Sequence, residues 1–324
     1  MSKQYDIIII GGGPAGLAAA DSASANGAES ILLIDRAFAA GGVLLQCAHT
    51  GFGFKEYGRS LTGPEYSKLA YAKIENNRRI TVWLDTVVLD ITKDKEITCV
   101  SPERGLQKVT GKAVVLAMGC REQSRGAIRV PGDRLAGIMT AGVAQRLMNV
   151  FDFLPGREIV VLGTGDIGFV TAAELVEAGC KVKGIVERYA KPKGLQEHID
   201  WCVDKLKIPL YLQHTISNIH GENRVEKVTV SKVDGEYRPI PGTGFDVDCD
   251  TVIMSVGFRP EHKLVDILGV EYEPSLGGLI VDGEGRTSLP GFYAAGNVVK
   301  IFESVDGVVE QARVAGRRAA LDIR

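Results

Sequence analysis

The chain has 324 residues, 45% hydrophobic and 24% charged, with a formal net charge of −2. Those numbers suggest about two globular domains, and without a long basic run they give no support to a nucleic-acid or anionic-membrane partner. The six cysteines (Cys47, Cys99, Cys120, Cys180, Cys202 and Cys249) form no C-x-x-C pair and no zinc-ligand spacing, so neither a metal site nor a disulfide framework is expected and a reducing, cytoplasmic setting is.

Tyr5-Asp6 lead into Ile7 to Ile10, a β-branched run that reads as a parallel strand buried on both faces. The run is too short for a signal-peptide core, and no stretch of the chain approaches a membrane span. The loop Gly11-Gly12-Gly13-Pro14-Ala15-Gly16 follows, then an Ala-rich helix over Leu17 to Ala25 with Gly27 as its stop, then a strand Ile31 to Ile34 ending at Asp35. Residues 80–110 read as a small antiparallel meander with turns at Lys93-Asp94 and Arg104-Gly105, and Val114 to Gly119 return as a buried strand.

The plan then repeats. Glu158 to Leu162 form a strand, Gly163-Thr164-Gly165-Asp166-Ile167-Gly168 the loop, Phe169 to Ala178 a helix, and Val182 to Val186 a strand ending at Glu187. Residues 208–249 are again short strands, with turns at Gly221 to Asn223 and Asp234-Gly235, and Thr251 to Gly257 return. Asp35 lies 24 positions after Gly11, and Glu187 lies 24 after Gly163. One glycine loop is a common pattern. A loop after a buried strand, before a helix, with an acid ending the next strand, is specific, and here it occurs twice.

The chemistry explains the residue types. The first glycine allows a tight turn, the second lets a pyrophosphate approach the backbone, and the third lets the helix pack on the strand. Phosphate then sits at the helix N-terminus, where free N–H groups and the helix dipole favour negative charge. The acid accepts hydrogen bonds from ribose hydroxyls. The fold class that follows is α/β, with two Rossmann-like three-layer dinucleotide-binding domains, one inserted in the other. The outer domain is expected at residues 1–119 and 255–324 and the inner at 120–254, with crossings at Arg121 to Gly132 and Phe258 to Lys263.

Gly11 to Gly16, Ala117-Met118-Gly119, Gly163 to Gly168, Ser255-Val256-Gly257, Ala294-Ala295-Gly296-Asn297 and Glu310-Gln311-Ala312 make the chain resemble the two-dinucleotide-binding flavoproteins, which include thioredoxin reductase and glutathione reductase. A second set of motifs is narrower. Gly41 to Gly53, Leu61-Thr62-Gly63-Pro64-Glu65-Tyr66, Gly119 to Glu122 and Thr140 to Leu147 resemble a bacterial subfamily of FAD- and NAD-dependent oxidoreductase subunits. That subfamily is associated with glycerol-3-phosphate dehydrogenase complexes and, more distantly, with opine-, proline- and sarcosine-oxidising ones.

The resemblance implies an outer FAD site at Gly11, Gly13, Pro14, Ala15, Gly16, Asp35, Arg36, Gly41, Gly42, Val43, Gln46, Ala117, Gly119, Gly296, Asn297, Gln311 and Ala312. It implies an inner nicotinamide site at Gly163, Thr164, Gly165, Asp166, Ile167, Gly168, Glu187, Arg188 and Gly257. Arg188, Lys191 and Lys193 could hold the 2′-phosphate of NADP(H). Glu187 opposes that phosphate, so NAD(H) is preferred. Asn297 stands where relatives usually have Asp, and its amide can still bond a ribityl hydroxyl.

Three departures bear on function. Thioredoxin reductases carry a cysteine pair where this chain has Thr140 to Val143. Glutathione-type reductases carry two cysteines after Gly-Gly, where only Cys47 is near. Both groups place Glu where this chain has Val170. Disulfide reduction is therefore not expected. Cys47 and His49 are the catalytic candidates, since a thiol there could act on a flavin, but a buried small hydrophobe beside a structural His is the preferred reading.

Three functions follow. The first is hydride transfer between a nicotinamide nucleotide and FAD, with discharge to a partner dehydrogenase flavoprotein or to an iron–sulfur protein of the same complex. The second is a stand-alone NAD(P)H oxidase or diaphorase. The third is an FAD-containing scaffold with an idle nicotinamide site. The two folds use essentially all of the residues, which favours the first. A homodimer stays open.

Overall fold

The chain begins with strand β1 (Lys3–Ile10), whose Ile7, Ile8 and Ile9 are fully buried because both faces of the sheet are covered. The computed structural model describes residues 3–324 and divides into two compact units, one running to Arg121 and resuming at Arg259, the other spanning Glu122–Phe258. Helix α1 (Pro14–Ala25) starts three residues earlier than the alanine pattern suggests, because Pro14 opens it with a preset φ. Strand β2 (Ile31–Ile34) pairs parallel with β1, Ile7 against Ile31 through Ile10 against Ile34.

Helix α2 (Gly63–Glu75) carries a capping box, with Thr62 and Glu65 each bonding the other's backbone N–H. It leads to β3 (Ile80–Trp83), which is not part of a meander. It pairs parallel with β2, Ile31 against Ile80, as a strand reached through a helix must. The antiparallel meander is β4 (Val87–Ile91), β5 (Glu96–Ser101) and β6 (Gly105–Leu116). Strand β6 is also the returning strand, parallel to β1.

In the second unit, β7 (Ile138–Thr140), helix α3 (Ala141–Phe151), β8 (Glu158–Leu162), helix α4 (Asp166–Glu177) and β9 (Lys181–Glu187) build the repeat. Strand β10 (Leu210–Leu212) joins β9 in parallel, so residues 208–249 are not all meander either. The antiparallel part is β11 (His214–Gly221), β12 (Val225–Lys232) and β13 (Phe245–Asp248). Strand β14 (Thr251–Met254) returns between β7 and β8. Residues 125–132 belong to this unit rather than to a crossing: Ile128 and Val130 pack on its core, and Asp133 N–H donates to Ile219 O.

The chain re-enters the first unit through Phe258–Pro260, paired with Cys120–Glu122 as two short strands. Strand β15 (Phe292–Ala294) lines up on the end of β6, and helix α5 (Val305–Asp322) closes the unit against α1. The two helices approach closely. A Cβ on Gly316 would lie 2.3 Å from Ala19 O.

Candidate dinucleotide sites

The two glycine loops make the same backbone contacts at their first and last glycines. A Cβ on Gly11 would lie 2.3 Å from Ala117 O, and one on Gly163 would lie 2.0 Å from Ser255 O. A Cβ on Gly16 would meet Gly11 O at 1.7 Å, and one on Gly168 would meet Gly163 O at 2.4 Å. These four glycines are required by the packing of strand, loop and helix.

Gly13 and Gly165 differ from them. Each is the N-cap of its helix, in an extended conformation open to any residue, and neither helix start has a side-chain cap. A Cβ on Gly13 would have only Gly42 Cα near, at 3.7 Å, and one on Gly165 would have nothing within 4 Å. The protein therefore leaves space above both helix starts while first-turn N–H groups lack a side-chain acceptor. Helix α1 also has no acid in its first turn. Both cradles suit a pyrophosphate, by donors, dipole and room.

Around the first cradle, Asp35 holds the loop: its Oδ2 accepts from Gly12 N–H and its Oδ1 from Ala37 N–H at 2.7 Å. Gly41 N–H donates to Gly12 O at 2.8 Å, and the backbones of Gly42 and Gly13 are so close that a Cβ on Gly42 would sit 2.9 Å from Gly13 Cα. Gly296 lies against Ala15, and its N–H donates to Gln311 Oε1 at 2.8 Å. Ala15, Ala117 and Ala312 belong to one buried cluster, with Ala312 fully buried, and Pro14 opens α1 directly after Gly13. The side chains of Arg36 and Val43 are exposed, and Gln46 is buried. Gly119 has left-handed backbone with open space where a Cβ would stand.

Asn297 is held at both ends of its amide. Oδ1 accepts from Phe302 N–H at 3.1 Å, and Nδ2 donates to Cys120 Sγ at 3.6 Å. Sequence reasoning did not find Cys120 as its neighbour, since 177 positions separate the two. Cys47 is buried with its thiol donating to Val43 O at 3.4 Å, and His49 Nδ1 lies 2.9 Å from Thr50 O. Both side chains are bonded within their own loop.

Around the second cradle, Thr164 and Glu187 are both buried. Glu187 Oε2 accepts from the Thr164 N–H at 3.0 Å and from its hydroxyl, while Oε1 accepts from Tyr189 N–H at 3.1 Å. The acid therefore braces the loop, and its remaining lone pairs are what a ribose could reach. Asp166 Oδ1 accepts from Leu195 N–H at 2.7 Å and lies 2.8 Å from His198 Nδ1, contacts with no sequence signal. Ile167 packs on the core, Val170 is buried, and Gly257 has left-handed backbone facing Gln123. Arg188 lies over the Tyr189 ring.

At the start of α3, Gly142 N–H donates to both oxygens of Glu122 at 3.0 Å, so a carboxylate caps that helix. None of the six cysteines is joined in a disulfide. Burial pushes the Cys202 thiol up to about 11 and the Cys249 thiol up to about 12, far from thiolate reactivity at neutral pH. Among the described residues there is no cluster of metal-ligating side chains, and no helix is long and apolar enough to cross a membrane.

Two strand–glycine-loop–helix units, each with an open cradle and a bracing acid, define an α/β oxidoreductase that binds two dinucleotides. The chain belongs to the pyridine nucleotide-disulphide oxidoreductase family, whose profile matches residues 5–319, and it is an FAD-dependent pyridine nucleotide oxidoreductase. It is 25% identical to an opine oxidase subunit from Agrobacterium tumefaciens (strain Ach5), over 99% of this chain, and spans 65% of that protein's length. It is 27% identical to hydrogen cyanide synthase subunit HcnB of Pseudomonas protegens, over 98% of this chain and 69% of that one. Thioredoxin reductase of Bacillus subtilis is 30% identical over 91% of this chain and 87% of its own. In fold, the structure of T. acidophilum thioredoxin reductase superposes with a TM-score of 0.79, covering 99% of both chains at 23% identity.

Proposed function

We propose that this protein moves hydride between NAD(H) and FAD as the electron-transfer component of a multi-subunit dehydrogenase of the glycerol-3-phosphate type, and that it does not reduce disulfides. FAD is assigned to the unit containing Gly13 and the nicotinamide nucleotide to the unit containing Gly165. When bound, FAD supplies the two-electron acceptor. The first turn of α1 would hold its pyrophosphate, Asp35 would orient its adenosine ribose, and Asn297 and Gln311 would face its ribityl and ring end. The first turn of α4 would hold the second pyrophosphate. The Glu187 carboxylate, buried beside that cradle, disfavours a further phosphate at the ribose, which supports NAD(H) over NADP(H).

The observation that carries the reading is the Glu122 cap. A helix N-terminus lowers the pKa of a cysteine placed on it. The resemblance puts the thioredoxin-reductase cysteine pair at Thr140 to Val143, at the start of α3, and here that helix start is occupied by a carboxylate. No cysteine pair relays electrons from flavin to a disulfide, so discharge is assigned to a second protein. Two of the relatives are themselves named as subunits, of opine oxidase and of hydrogen cyanide synthase. The test is reconstitution: a dehydrogenase subunit copurified from the native source, with glycerol 3-phosphate, should give substrate-linked NAD reduction. NADH-driven reduction of thioredoxin or glutathione disulfide by this chain alone would overturn the proposal.

A further inference from the structure

Beside the second cradle lies a cluster that the glycine loop does not explain. The Arg188 guanidinium is 4.9 Å from the Tyr189 ring centroid and 5.3 Å from that of Tyr237, and it donates to the Tyr189 hydroxyl at 2.9 Å. The Lys193 ammonium lies 3.8 Å over the Tyr189 ring. The two rings meet edge to face at 4.9 Å. Burial pushes the Tyr189 phenol up, and Arg188 and Lys193 more than reverse it, so the phenol lies below its ordinary value.

Two features tie this cluster to the nucleotide cradle. Tyr189 N–H donates to Glu187 Oε1, and Lys193 and Gly194 donate their N–H groups to Thr164 O, between the first two loop glycines. Tyr237 arrives from a different part of the chain, the connection between β12 and β13. Its backbone is left-handed, with φ of 63°, in a turn closed by its N–H on Asp234 O. A bulky residue adopts that conformation at a cost, and such strain collects where a side chain is being aimed. Gln213, also left-handed, ties the two together: it donates to Tyr189 O and accepts from Val233 N–H at the foot of the turn.

We propose that Tyr237, brought to Arg188, Tyr189 and Lys193 from the connection between β12 and β13, supplies the ring on which the adenine of the nicotinamide nucleotide stacks. The inference rests on the assignment of a nicotinamide nucleotide to this unit. A purine offers a π face, and aromatic rings and a planar guanidinium are the side chains that stack on it. Both cations already face rings, and Arg188 is bonded along one edge, which makes the cluster a stacking surface rather than an open anion site. Tyr237 is 45% exposed, so one of its faces remains for a ligand.

The test uses the FAD-loaded protein and calorimetric titration with ADP-ribose. Tyr237→Ala should weaken binding about tenfold, while Tyr237→Phe, which keeps the ring, should bind near wild type. The ratio of kcat/KM for NADH to that for reduced nicotinamide mononucleotide, which lacks adenosine, should fall by the same factor in the Ala variant. Unchanged ADP-ribose affinity in Tyr237→Ala, or an unchanged ratio, overturns the proposal. If 2′-phospho-ADP-ribose binds more tightly than ADP-ribose and Tyr237→Ala weakens both, the stacking role of Tyr237 stands and the preference for NAD(H) is what fails.

Discussion

Six of the seven glycines in the two loops divide by what a Cβ would strike. On Gly11, Gly16, Gly163 and Gly168 it would enter backbone, so any substitution there damages the fold and says nothing about ligands. On Gly13 and Gly165 it would enter nearly open space at the helix start, where the proposal seats phosphate. Gly13→Val should therefore fold and lack FAD, whereas Gly165→Val should retain FAD and lose reduction by NADH. Flavin absorbance after purification and after anaerobic addition of NADH reads both, and a fully flavinated Gly13→Val protein would contradict the assignment. Thr164→Val keeps the shape of the loop but removes the hydroxyl that Glu187 accepts from, which should cost about 1–3 kcal/mol, measured by urea unfolding. At this scale the sequence was informative about which residues surround each cradle, because spacing along one βαβ unit dictates them. It was silent on Cys120 beside Asn297 and on Tyr237 beside Arg188, because both contacts join distant segments.

Elements were legible where the pattern determines the partner. The runs at Ile7 to Ile10 and Glu158 to Leu162 have one solution, a buried parallel strand. Ile80–Trp83 and Leu210–Leu212 do not, since three or four mixed residues fit a parallel edge as well as a meander. Only the helices preceding them set the pairing. Helix α5 illustrates a contribution that depends on solution conditions. Arg318 and Arg286 hold the Asp322 carboxylate well below its ordinary value of 3.8, and Tyr293 also donates to it. A carboxyl depressed in the folded state stabilises above its unfolded pKa, and that stabilisation is lost as pH falls below it. Solvent screens this pair of ion contacts, so the effect is small. Asp322→Asn should lower the melting temperature at pH 7, and the deficit should shrink as pH falls from 5 toward 3. A deficit constant with pH would place the role of Asp322 in packing rather than charge.

For the whole molecule, the repeat is the main fact. One plan occurs twice, with matching glycine contacts and an acid bracing each loop, Asp35 in one and Glu187 in the other. What the sequence leaves open is the identity of the proposed partner, because a docking surface carries no spacing rule. The chain alone should consume oxygen slowly with NADH, well below the roughly 10 per second of an ordinary enzyme, and respond well to artificial dyes. Its kcat/KM should be higher with NADH than with NADPH, and equal or better use of NADPH would show that Arg188 and its neighbours outweigh Glu187.

The central claim is that the flavin is the only redox centre in the chain, reduced by NADH and discharged to a partner. Anaerobic titration of the purified, FAD-loaded protein with NADH, followed by flavin absorbance, tests it most directly. Full bleaching at one NADH per FAD is the predicted result, since two electrons fill the flavin and nothing else accepts them. An endpoint at two NADH per FAD would reveal a second two-electron acceptor, as a redox-active disulfide would be, and would contradict the account.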